Sequence, residues 1–188
     1  MYQIETRNHY LRIALEAILP RFCNEPHICF VDLASFHSLR EIGECIDKYN
    51  VSYKYILIAG GGIYSRLLSP LVSLESKTSI IKYHEIIRHC PEVTYDIVNF
   101  YIQRHKNLTE FTWKELTTVY SLLMYDSLEN AAAHIGIRPK TFYHRVDKLV
   151  KKLNIGSRLQ TQHYFRKEFY PNTIRLMINE HVRLSFRG

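Results

Sequence analysis

The stretch SLENAAAHIGIRPKTFYHRVDKLVKKLNIGSR, residues 127–158, constrains the chain more than any other. Ser127 with Asn130 opens a short helix whose Ala131, Ala132 and Ala133 are small enough for a second helix to pack closely. Gly136 then supplies a turn, because a residue without Cβ tolerates positive φ. Pro139 suits the first turn of the next helix, where its missing N–H would have no partner in any case. Helix, glycine turn and helix at this spacing predict a helix-turn-helix. The second helix, residues 139–153, carries an apolar stripe of Phe142, Val146, Leu149, Val150 and Leu153 for the core. The same periodicity turns Lys140, Tyr143, His144, Asp147, Lys148 and Lys151 outward. Upstream, FTWKELTTVYSLL (111–123) opens on Thr112 with Glu115 three residues later, the signature of a capping box.

Charge is unevenly placed. Residues 1–103 carry 10 Lys+Arg against 11 Asp+Glu, a net of −1, and residues 104–188 carry 15 against 7, a net of +8. A neutral module joined to a polyanion-binding one has this distribution, and a basic surface kept for solubility is the alternative. Between Gly136 and Arg158 stand seven Lys+Arg and one acid. A major groove admits one helix, with its N-terminal residues at base edges and its flanking cations at phosphates. The outward side of 139–153 is therefore the candidate surface for double-stranded DNA. A solvated lysine face on a core helix is the competing reading.

The first hundred residues follow another pattern. HYLRIALEAIL (9–19) spaces Leu11, Ala14, Leu15, Ile18 and Leu19 as a helix that Pro20 stops. HICFVDLA (27–34) and YKYILIAGGG (53–62) read as buried strands, the second entering a glycine turn, and TSIIKY (78–83) as a weaker third. SLREIGECIDKY (38–49) is an amphipathic helix through Leu39, Ile42, Cys45, Ile46 and Tyr49. Strands alternating with helices predict an α/β domain with a parallel sheet covered on both faces. Strand signals cease after Pro91. YDIVNFYIQRH (95–105) reads as a helix connecting two domains, and helices with short turns follow from Thr112. The expected organisation is an α/β domain over 1–103 and an all-α helix-turn-helix domain over 104–188.

Several classes of chemistry lack their residues. Cys23, Cys29, Cys45 and Cys90 form no CxxC pair, and the ten histidines include no HExxH. AGGGIYS (59–65) lacks the GK[ST] ending of a phosphate loop and reads as a tight strand-to-helix turn. Without a nucleophile–base set, an enzyme, a cofactor and a metal centre are not expected. Neither a signal peptide nor a membrane-length apolar run is present, so a cytoplasmic protein with free thiols is expected.

Residues 111–158 resemble the C-terminal domain of LuxR-type response regulators. FTWKE matches the family's opening Leu-Thr and basic-acidic pair, Ala132 its scaffold-helix alanine, Ile135 and Ile137 the step into the turn, and Thr141 the recognition-helix threonine. KLNIGSR supplies the closing Lys152, Leu153, Ile155 and Arg158, with no gap over 48 residues. Tyr125 departs from a usual Gly, Arg138 from a capping Ser, Tyr143 from a Lys and Arg145 from a His. The resemblance implies a DNA-binding transcription regulator. In the family the positions held here by Tyr143, His144 and Asp147 face bases, with Thr141 the threonine of the recognition helix, while Lys140, Lys148, Lys151 and Arg158, flanking the groove-facing end of a basic helix, would meet phosphates. It also implies a dimerisation helix, LQTQHYFRKEFY (159–170), offering Leu159, Tyr164 and Phe165 to a second copy or to another response regulator. Core filling is the alternative for those three, and the apolar tail NTIRLMINEHVRLSF would pack back.

In front, the family carries a receiver domain. Its phosphorylation chemistry needs an acidic pair at the first strand, an acceptor Asp at the third, Ser or Thr at the fourth and Lys at the fifth. Asp32 and Lys82 stand as candidate acceptor and lysine. Ala59 lacks the hydroxyl, Glu5 is the only acid near the first segment, and Asp32 comes too early, as though one strand–helix unit were deleted. A lone strand-end Asp is more often a cap. The expectation is a degenerate, shortened receiver-like domain resembling RcsA-like auxiliary regulators, which do not depend on phosphorylation. Other readings are an adaptor or antagonist that holds another regulator or RNA polymerase, and a sigma-factor-like module, which the α/β domain in front disfavours.

Overall fold

The computed structural model describes residues 2–22, 28–49, 55–75, 78–89 and 93–185. Cys23, His27, Tyr53, Cys90 and Pro91 lie outside the described residues. The chain divides into two compact units, Met1–Asn107 and Leu108–Gly188.

In the first unit β1 (Tyr2–Glu5), β2 (Ile28–Asp32), β3 (Tyr55–Gly60) and β4 (Val72–Glu75) form one parallel sheet in that spatial order. Helices α1 (His9–Phe22), α2 (Leu39–Tyr49) and α3 (Gly62–Leu67) connect them, and α4 (Ile80–Arg88) and α5 (Tyr95–Asn107) follow. The strands β2 and β3 are buried almost throughout, as strands covered on both faces must be. On one face, Leu15 and Leu19 of α1 and Tyr83 and Ile87 of α4 join Ile4, Phe30, Leu57, Ala59 and Leu74 in a core. The other face belongs to α2, whose Tyr49 hydroxyl donates to Glu5 of β1 at 2.5 Å, and to α5, which packs on α2 with Ile102 Cγ2 3.8 Å from where a Cβ on Gly43 would stand. There burial pushes the Cys45 thiol up to about 12 and raises that of Cys29 further, so both stay protonated.

This topology breaks a rule of handedness. The steps β1→β2 and β2→β3 run in the same direction across the sheet, yet α1 and α2 cover opposite faces. The two crossovers are therefore of opposite hand, where parallel connections are otherwise right-handed almost without exception.

Three expectations need correction. Residues 78–83 form no strand: Ser79 caps α4, its hydroxyl accepting the Lys82 N–H at 3.4 Å, and the sheet strand is Val72–Glu75 just before. A short apolar run looks alike in a buried strand and in a helix resting on the sheet. Pro20 does not stop α1, which continues to Phe22, because a proline in the last turn removes only one helical bond. The helix over 95–107 is part of the first unit, packed on α2, rather than a connector.

The second unit holds α6 (Trp113–Met124), α7 (Leu128–His134), α8 (Pro139–Lys152), α9 (Arg158–Glu168) and α10 (Pro171–Ser185), with no strand among its described residues. Helix α6 packs against each of the other four, and its Leu116, Val119 and Leu122 meet a core containing Phe142, Val146, Leu149, Phe165 and Ile174. The tail packs back as α10, against α6. Tyr164 and Phe165 of α9 are fully buried in this core, so they offer nothing to a second copy. Of the three residues expected to mediate dimerisation, only Leu159 is exposed, at 76%. Among the described residues no helix is long and apolar enough to cross a membrane.

Candidate nucleic-acid interface

Local chemistry sets each helix of the second unit in place. Glu115 accepts the Thr112 N–H at 2.8 Å while Thr112 Oγ1 accepts the Glu115 N–H at 3.3 Å, a reciprocal cap on α6. Lys152, at the end of α8, donates to the same carboxylate at 2.8 Å and to the Glu110 carbonyl at 2.5 Å, with its ammonium 4.7 Å from the Phe111 ring centroid. Burial acts to raise the Glu115 pKa, but the bonds from Lys152 and Thr112 outweigh it and hold the carboxyl below its ordinary value. The two ends, N-terminal of α6 and C-terminal of α8, are thereby tied together.

Ser127 caps α7 by accepting the Asn130 N–H at 3.1 Å, and Ala131 and Ala132 have no exposed surface, which lets α8 approach. Gly136 sits at φ +67°, and the Gly136 and Ile137 N–H groups return to the Ala133 and Ala132 carbonyls, both at 3.1 Å. Arg138 precedes α8 without a side-chain cap, and Pro139 occupies the first turn. Tyr125, at the end of α6, has φ −129°, a conformation that needs no glycine.

On α8, Phe142, Val146 and Leu149 point inward, while Lys140, Thr141, His144, Lys148 and Lys151 are exposed. The other three expected contact residues are bound to one another. Arg158, opening α9, donates through Nε and an Nη to the two oxygens of Asp147 at 2.6 and 2.8 Å. Its guanidinium lies 5.0 Å from the Tyr143 ring centroid, and the Tyr143 hydroxyl donates to Glu129 of α7. The Arg158 bond holds the Asp147 carboxyl low and raises the guanidinium; the Tyr143 bond does the same for Glu129 and the phenol. Glu129 carries no signal in the sequence, since nothing local links it to a residue fourteen positions on.

The first unit gives Asp32 a structural role. It is buried at the end of β2, where one oxygen accepts the Thr6 and Ser35 hydroxyls at 2.7 and 2.8 Å and the other the Ala34 N–H at 3.1 Å. It thereby caps the short 3-10 helix Leu33–Ser35, with Ala59 beside it in register. Lys82 does not stand at a strand end: it lies exposed in the first turn of α4. Gly60 and Gly61 serve close packing and Gly62 a left-handed backbone. A Cβ on Gly60 would lie 2.5 Å from Ser65 Oγ, one on Gly61 2.9 Å from the Ala34 Cβ, and Gly62 has φ +72°. Among the described residues no group of three or more His, Cys, Asp or Glu could hold a metal ion.

No family model matches the chain, and no curated protein matches it.

Proposed function

We propose that this chain is a DNA-binding transcription regulator that lays α8 in the major groove, as the LuxR-type domain it resembles does. The observation that carries the reading is the α7–turn–α8 unit with Lys140, His144, Lys148 and Lys151 exposed along α8. The surrounding unit, Leu108–Gly188, carries 13 Lys+Arg against 7 Asp+Glu, a net of +6. Such a surface attracts phosphate without regard to sequence and guides a helix into the groove.

The first unit fits a degenerate, phosphorylation-independent receiver-like domain. Two features support this: crossovers of opposite hand follow if one strand–helix unit is removed from a doubly wound sheet, and the Asp32 carboxylate is already occupied by Thr6, Ser35 and Ala34. We place the protein in the cytoplasm and pair it with a second copy or another response regulator. Glu129 and Asp147 on the same face favour one other reading, an adaptor that holds another transcription regulator or RNA polymerase.

A mobility-shift titration on genomic fragments at several salt concentrations separates the two. Binding is expected to weaken with salt, and Lys148→Ala with Lys151→Ala to lower the slope of log K against log salt by about two units, roughly one per lysine. Unchanged binding by the double variant would rule against DNA as the partner.

A further inference from the structure

Glu129, Tyr143, Asp147 and Arg158 form one connected surface network across α7, α8 and the start of α9. It sets two carboxylates and one guanidinium amid the exposed Lys140, Lys148 and Lys151. We propose that Arg158 determines specificity by exchanging partners. On DNA its guanidinium leaves Asp147 for a backbone phosphate, and the released carboxylate accepts a hydrogen bond from a base amino group. The inference rests on the DNA-binding reading and assigns the network its role there.

The geometry favours exchange over a fixed bridge. Both side chains are well exposed, 45% for Arg158 and 41% for Asp147, so solvent screens the pair and little is lost on opening it. A phosphate presents the guanidinium with the same two-oxygen fork that the carboxylate does. Tyr143, its hydroxyl fixed by Glu129, is a platform over which the guanidinium turns. Once Arg158 has moved, Asp147 is a bare acceptor facing the groove. Base edges there are mostly acceptors, and a carboxylate finds a donor only at the amino groups of cytosine and adenine. Where no amino group lies in register, the carboxylate keeps Arg158, and the complex has one phosphate contact fewer. A phosphate contact carries no sequence information by itself; coupling through Asp147 makes this one conditional on the base.

The test measures salt slopes on two duplexes of equal length, the best binder selected from a randomised library and a scrambled version of it. For the wild-type protein the slope on the selected duplex is expected to be steeper by about 0.9, the value of one phosphate contact. Asp147→Asn releases Arg158 on both duplexes, so the difference vanishes while affinity for the scrambled duplex rises several-fold. Arg158→Gln removes the cation and leaves the Asp147 carboxylate unpaired on the DNA-facing side, so the difference again vanishes while affinity for the scrambled duplex falls. A slope difference that persists in either variant, or a library that yields no preferred duplex, overturns the exchange and leaves DNA binding intact. Failure of the wild-type protein to bind either duplex overturns both.

Discussion

Replacing Gly136 by alanine perturbs one backbone conformation in the turn between α7 and α8. The residue sits at φ +67°, and an added Cβ would meet no atom within 4 Å, so no steric clash enters. An L-residue in the left-handed region costs about 1–2 kcal/mol. A stiffer unfolded chain offsets about 0.4–1 kcal/mol of that. The net loss is about 1 kcal/mol, which lowers the melting temperature of a unit this size by about 4–8 °C. Gly136→Asn is expected to lose less, because the short amide tolerates this region. Trp113, the sole tryptophan, begins α6 in the same unit and is half exposed, so its fluorescence follows the relevant transition under heat or urea. An alanine variant as stable as wild type, or an asparagine variant less stable than the alanine one, would refute the claim that left-handed backbone is what this turn requires.

Three further outcomes follow from the hydrogen-bond networks. Asp32→Ala removes the acceptor of the Thr6 and Ser35 hydroxyls and of the Ala34 N–H, and is expected to destabilise the first unit by about 2 kcal/mol in urea while leaving the salt slope of DNA binding unchanged. Phosphate incorporation from a small-molecule phosphodonor, abolished by that substitution, would contradict the phosphorylation-independent reading. Glu115 has its folded pKa below the unfolded value of about 4.3, so its contribution is complete above that pH and is lost as pH falls through the folded pKa. Urea midpoints measured from pH 7 to 3 are expected to separate wild type from Glu115→Gln at neutral pH and to converge in acid; a constant gap would show that the carboxylate charge contributes nothing. Lys152→Ala is expected to lower stability by about 1 kcal/mol without altering the salt slope, because the ammonium is engaged by Glu110 and Glu115 rather than facing the groove.

Elements whose signals are local are legible in the amino-acid sequence. Thr112 with Glu115, Ser127, Gly136 and Pro139 each act within four residues along the chain, on backbone groups that have no other partner at a helix end or turn. Their effect is therefore the same in the isolated sequence and in the folded unit. The inward stripe Phe142, Val146, Leu149 is legible for a related reason, since helical periodicity alone puts it on one side. Tertiary structure decided what depends on distant partners. Ile80–Arg88 is a helix because Tyr83 and Ile87 rest on a sheet face built from four separated strands, and β1 is too short for any periodicity to mark it. Whether Tyr164 and Phe165 fill a core or face a second molecule was settled by α6 lying over them. The pairing of Arg158 with Asp147, and of Tyr143 with Glu129, likewise required three helices in place. A side chain's solvent exposure follows from the helical period, but its charge partner is set by which other element packing brings within reach.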